Sequence, residues 1–157
     1  MEFLSGNFLC ETIVPKNELI ISRTDLKGNI TYANETFAEI SGYSIEELIG
    51  KSHNIVRHPD MPKAIFEELW KSLKTKGSWN GIVKNIRKDT GFYWVYAEIS
   101  GVLKNGVLIE YKSINTYKGH TTRTPDSLYI VCCLYLLELT GEVYEKEDSR
   151  CEYSQFT

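Results

Sequence analysis

The run Trp79-Asn-Gly-Ile-Val-Lys-Asn-Ile-Arg-Lys88, the separator Asp89-Thr-Gly91 and the run Phe92-Tyr-Trp-Val-Tyr-Ala-Glu-Ile-Ser-Gly-Val-Leu103 decide the fold. Both runs are rich in β-branched and aromatic residues, and the separator carries turn chemistry. Lys104-Asn-Gly106 is a second hairpin signal, leading into Val107 to Tyr117. The three runs predict an antiparallel meander. Side chains alternate along a strand, so Trp79, Gly81, Val83, Asn85 and Arg87 share one face. On the second run, Phe92, Trp94 and Tyr96 fall together on the face turned away from it, more apolar than a lone sheet exposes, and a terminal segment or a partner is expected to cover them.

Upstream of the meander, Ile65, Phe66, Leu69, Trp70 and Leu73 recur at helical spacing. Asp60 is the expected N-cap, Pro62 falls in the first turn and Gly77 closes the helix, with Trp70 expected in the core. Two single short helices precede it. Asn34 caps the first, which Gly42 ends, and Ser44-Ile-Glu-Glu47 has the form of a capping box before a stop at Gly50. Earlier still, Leu19 to Thr24, the turn Asp25 to Asn29 and Ile30 to Ala33 read as a hairpin. The whole order predicts an α+β fold, an antiparallel sheet with short helices on one face.

The chain has 157 residues, of which 42% are apolar, enough for one domain with a real core. Its net charge of −3 and scattered Lys and Arg residues argue against a nucleic-acid module. Lys84, Arg87 and Lys88 are read as a solvated strand end. Glu2 stands where a secretory leader carries a base, and the longest apolar run, Leu128 to Leu137, is about half a membrane span. The protein is therefore expected to be soluble and cytoplasmic, reaching a membrane only through a receptor partner. Cys10, Cys132, Cys133 and Cys151 lack C-x-x-C spacing and are read as reduced thiols.

Polar chemistry concentrates in His53-Asn-Ile-Val-Arg-His-Pro-Asp-Met-Pro62. Together with Ile30-Thr-Tyr-Ala-Asn-Glu-Thr-Phe37, Ser41-Gly-Tyr43, Glu47-Leu48, Trp79-Asn-Gly-Ile-Val-Lys-Asn85 and Gly91-Phe-Tyr-Trp-Val95, it resembles the PAS sensor domains, and among them the flavin-binding subgroup of bacterial aerotaxis and energy-taxis receptors. The resemblance covers roughly residues 19 to 117. It implies a five-stranded antiparallel sheet cupping FAD against short helices, with Arg57, His58, Asp60, Asn85, Trp79, His53 and Asn34 as cofactor-binding candidates.

A dinucleotide flavin pairs an apolar ring, edged with hydrogen-bonding atoms, with an anionic pyrophosphate. Arg57 can grip phosphate or ring oxygens in two places, His58 can donate or stack, and Asp60 can accept from a ribose hydroxyl. Asn85, on an inward face, can meet both donors and acceptors of the ring edge. Each has a plainer alternative: a surface salt bridge for Arg57, a helix cap for Asp60 and for Asn34, and an asparagine bonded to backbone for Asn85. Gly81 beside them would permit close approach.

Metal ligation by His53, His58 and Asp60 is disfavoured by their irregular spacing and by Arg57 between them. Residues 11 to 131 hold no cysteine, which excludes a cysteinyl photoadduct of the LOV type. There is no nucleophile elbow, HExxH or phosphate loop, so the protein is not read as an enzyme. The expected function is a flavin redox or energy sensor that signals by protein contact, with a chemoreceptor or HAMP-type signalling protein or a second copy as partner. A cofactor-free PAS dimerisation module and a haem gas sensor are the alternatives. The expected organisation is an N-terminal cap over 1–18, the sensor over 19–118, and a linker with an apolar and acidic tail over 119–157. A PAS protein that signals to a separate receptor is the family precedent suited to this length.

Overall fold

A computed structural model describes residues 10–117, all within one compact unit. Strands β1 (Ile20–Thr24) and β2 (Ile30–Ala33) lead into α1 (Glu35–Ser41), α2 (Ile45–Leu48) and a 3-10 turn (His53–Val56). Helix α3 (Lys63–Lys76) then precedes β3 (Ser78–Ile86), β4 (Phe92–Lys104) and β5 (Val107–Thr116). The strands form one sheet in the order β2-β1-β5-β4-β3, antiparallel throughout. The first and last strands of the meander therefore differ in role: β5 is central and β3 is an edge. This is the five-stranded α+β architecture expected.

Local chemistry explains the boundaries. Asn34 accepts from the Phe37 amide at 3.1 Å, and Gly42, at φ 75°, closes α1 in the left-handed conformation. Ser44 and Glu47 form the capping box, and α2 ends at Leu48 with Ile49 as its C-cap, one residue before Gly50. In the β4–β5 turn Asn105 and Gly106 have φ of 52° and 78°, two adjacent positive values that match the twist of the flanking strands.

Helix α3 begins differently from expectation. Pro62 occupies its N-cap position without a side-chain bond, while the Asp60 carboxylate instead pairs with Lys84 of β3 at 2.9 Å. The reason is local: Met61 is 5% exposed and its sulfur accepts from the Lys84 amide at 3.4 Å, which anchors the segment along β3 and leaves Asp60 facing the lysine. Lys84, Arg87 and Lys88 are likewise not a solvated strand end. Arg87 binds the Asp89 carboxylate and the carbonyls of Glu39 and Ile40, and Lys88 binds Glu47, so two of the three bases tie the β3–β4 turn to the short helices.

Phe37, Leu48, Val56, Ile65, Leu69, Val83 and Val95 are buried between sheet and helices. Residues 10–12 run alongside β4: the Thr12 amide donates to the Phe92 carbonyl at 2.8 Å, and the Phe92 amide donates to the Cys10 carbonyl at 3.0 Å. Cys10 is an exposed free thiol. Phe92, Trp94 and Tyr96 are half-buried, and the Lys84 ammonium lies 4.5 Å from the Phe92 ring centroid. Among the described residues no helix is long and apolar enough to cross a membrane. The run Leu128 to Leu139 and the cysteines beyond Cys10 lie outside them.

Candidate functional site

A cavity of about 360 Å3 lies between the inner face of the sheet and the wall made by the 3-10 turn and α3. Its floor alternates small and apolar residues: Ser22 and Thr24 from β1, Ser113 and Asn115 from β5, Val95 and Ala97 from β4, Val83 and Asn85 from β3. Small side chains at the centre of the sheet make the space. Phe66, Leu69, Trp70 and Leu73 project from α3 to form the opposite wall. Trp70 is 38% exposed, its ring edge-on to Tyr111 with centroids 5.7 Å apart, so it borders the opening rather than filling the core.

Arg57 enters the cavity just past the 3-10 turn. Its backbone bridges to Asn85, and its guanidinium lies 3.8 Å from the Phe66 ring centroid. It makes no ion pair among the described residues, so a delocalised cation stands on an aromatic face without an anionic partner. His53 lines the same wall. Its Nε2 is 3.1 Å from the Ser22 hydroxyl and its ring stacks on Phe37. Burial lowers its pKa below the usual histidine value, so the imidazole is neutral near pH 7.

Asn85 lies on the floor, 6% exposed, and its side-chain amide lies near the Tyr93 hydroxyl of β4 without a well-formed hydrogen bond to any described residue. Asn115 accepts from Ser113 at 2.9 Å through its carbonyl oxygen, which leaves its NH2 group to face the cavity. Two amides, one guanidinium and one neutral imidazole therefore converge on a cavity whose α3 wall is apolar and whose floor carries small hydroxyl side chains. Such an arrangement suits a flat aromatic ligand edged with carbonyl and N–H groups.

Of the seven candidates, Arg57, Asn85 and His53 line the cavity; His58, Asp60, Trp79 and Asn34 do not. His58 is buried, edge-on to Phe92, and its Nδ1 accepts from the Asp60 amide at 3.1 Å. An accepting Nδ1 belongs to a neutral ring; burial and then Lys84 lower the His58 pKa, against an opposing pull from Asp60. Trp79 donates its indole N–H to Glu68, joining β3 to α3. Asn34 is tied into the backbone: besides capping α1, its Oδ1 accepts from the Ile21 amide at 3.0 Å and its Nδ2 donates to the Leu19 carbonyl at 2.8 Å. Gly81 also has a different purpose. A Cβ there would come within 2.6 Å of the Trp79 ring, so the close approach is made by the protein's own indole.

The polar floor of Ser22, Thr24, Ser113 and Asn115 was not among the expected site residues. Its signal is present in the sequence, because on β1 and β5 small polar residues recur at period two on the face that ought to be apolar.

The profile of the PAS fold family matches residues 30–115, more than half of the chain. Among curated proteins, the chain is 50% identical over 97 residues to the aerotaxis receptor of Escherichia coli (strain K12), covering 62% of this chain and 19% of that protein. It is 35% identical over 92 residues to the nitrogen fixation regulatory protein of Klebsiella pneumoniae, covering 59% of this chain and 19% of that one. The chain thus spans about a fifth of the length of these relatives. Among solved structures, a PAS domain of a protein from Colwellia psychrerythraea superposes with a TM-score of 0.59 at 26% identity, over 67% of this chain and 88% of that one. The dark structure of the blue-light photoreceptor Aureochrome1 LOV superposes with a TM-score of 0.62 at 18% identity, over 76% and 86% of the two chains, a likeness of fold. By sheet order, by the cavity between sheet and helices and by these matches, the chain belongs to the PAS fold family, and its sensor region is similar to that of the aerotaxis receptor.

Proposed function

We propose that this domain holds FAD with the isoalloxazine ring in the cavity, and that it acts as a redox or energy sensor signalling by protein contact. The observation that carries the reading is the pairing of an inward-facing Asn85 amide with an Arg57 guanidinium that makes no ion pair among the described residues, on adjacent elements, in one cavity. The motif resemblance and the 50% identity to an aerotaxis receptor support it. A bound flavin supplies a redox centre that reads the electron balance of its surroundings.

The chain's own residues orient and enclose it. Asn85 and Asn115 meet the ring edge from the floor, Trp70 and Phe66 cover the apolar face, and Arg57 takes ring or phosphate oxygens. His53 stays neutral beside Ser22, so the cations that face the cavity are Arg57 and, from the β1–β2 turn, Lys27. His58 and Asp60 act at one remove: through Lys84 and Phe92 they hold the Arg57 segment against β3. The half-buried outer face of the sheet is the signalling surface, toward a receptor of the chemotaxis type or a second copy of the chain, in the cytoplasm.

The test is the absorption spectrum of purified protein, before and after loading with flavin. Bands at roughly 370 and 450 nm are expected. A Soret band would point to haem, and absence of flavin uptake would leave a cofactor-free module.

A further inference from the structure

We infer that the Tyr93 hydroxyl is the alternative partner of the Asn85 amide, so that Asn85 has two resting orientations, one toward the cavity and one toward Tyr93. Tyr93 is 0% exposed, and its hydroxyl is buried without a hydrogen bond. Buried polar atoms are almost always paired, so an orphan of this kind marks a contact made in another arrangement of its neighbours.

The register identifies that neighbour. Asn85 and Tyr93 are directly opposite across β3 and β4, their side chains on the same face, and the Asn85 amide is the polar side chain within reach of the hydroxyl, short of a well-formed hydrogen bond. Other polar groups near it are Arg87 and Tyr43, and the Arg87 guanidinium is already spent on Asp89 and on the carbonyls of Glu39 and Ile40. The Asn85 backbone is fixed by its bridge to Arg57 and by the β3–β4 ladder, which confines movement to the side chain. The terminal torsion of asparagine is broad and roughly two-fold, and its amide offers both a donor and an acceptor, so either rotamer finds a complement in a phenol. Burial holds the Tyr93 pKa well above the usual phenol value, which keeps the hydroxyl protonated and able to act in both senses.

The consequence is a positioning role for Tyr93. A ligand that engages Asn85 draws the amide away from the phenol, and a ligand state that releases it allows the amide to return. The orphan hydroxyl is the counterweight of a two-position amide, placed one strand deeper in the sheet.

The experiment uses the full chain free of flavin, so its outcome is independent of the cofactor reading above. Asn85 side-chain amide signals are compared by nuclear magnetic resonance between wild type and Tyr93→Phe, which keeps the ring and its shielding and removes only the oxygen. A shift of both amide protons is expected, with loss of any exchange broadening present in wild type. In the reverse direction, Asn85→Ala is expected to move the Tyr93 ring-ζ carbon signal, which responds to hydrogen bonding of the phenol. Tyr96→Phe, on the other sheet face, serves as control. Unchanged Asn85 signals in Tyr93→Phe, an unchanged Tyr93 signal in Asn85→Ala, or equal shifts in the control would each overturn the inference.

Discussion

The Arg57 guanidinium lies 3.8 Å from the centroid of the Phe66 ring, a stacking contact between the segment that follows the 3-10 turn and the first turn of α3. The aromatic face orients the cation without neutralising it, which leaves its donors for an anionic or carbonyl ligand. Arg57→Ala should therefore weaken flavin binding by about 2–4 kcal/mol, the scale for losing a partly desolvated charged hydrogen-bond donor. Lys63→Ala, which removes an exposed charge paired with Glu67, should leave affinity unchanged. Titration of both variants with flavin is the check, and equal retention would remove Arg57 from the site.

Stability should fall on mild acidification. His53 and His58 both have folded-state pKa values below the ordinary 6.5, His53 through burial, His58 through burial and then Lys84. Below about pH 6.5 the unfolded chain binds more protons at these rings than the folded one, so stability rises with pH there and levels off above 7. Asp25, Glu47 and Asp89, held low by hydrogen bonds, add their loss only near and below pH 4, and Glu11, held high by burial, opposes the trend nearer its own range. Denaturant midpoints from pH 5 to 8 should show the slope, and His53→Gln should flatten it.

Gly81→Ala should destabilise the domain by about 1–3 kcal/mol, the usual cost of overpacking. The added methyl meets the Trp79 ring at 2.6 Å and must displace it from Glu68. Thermal unfolding gives the stability, and a red shift of tryptophan emission would report the displaced ring.

Thr90 carries φ 71° in the β3–β4 turn, a left-handed conformation that a β-branched residue adopts at a cost. Thr90→Gly should stabilise by about 0.5–1 kcal/mol, the strain relieved less the backbone entropy of glycine. An unfolding curve shifted downward would mean that the Thr90 hydroxyl bond to Asp89 outweighs the strain.

The sheet and its caps were legible because they are written in local chemistry. Alternation along β3 and β4, the Asn34 and Ser44 caps and the Asn-Gly turn each act within a few residues of sequence. What sequence obscured depends on contacts between distant elements. Asp60 has the spacing of a helix cap, and only the packing of Met61 on β3 turns it toward Lys84 instead. Arg87 and Lys88 look like solvated charge until the short helices are folded beside them. At the site, the inward face of Asn85 and the special segment at Arg57 could be read, whereas the bonds that hold Asn34 to Leu19 and Ile21, and Trp79 to Glu68, away from the cavity lining, could not. The floor residues Ser113 and Asn115 become visible only when β5 is known to be the centre of the sheet.

The most direct test of the sensor account is hydrogen exchange along β3, β4 and β5, measured in oxidised and reduced flavin-loaded protein for wild type and Asn85→Ser. Reduction alters what the ring edge offers to an amide that can present either an oxygen or an N–H. The account predicts a redox-dependent difference in these strands in wild type, and its loss in Asn85→Ser while much of the flavin is retained through burial of the ring. A wild type whose strands exchange identically in both redox states would contradict the sheet as output, and a variant that keeps the full difference would contradict Asn85 as the residue that carries it.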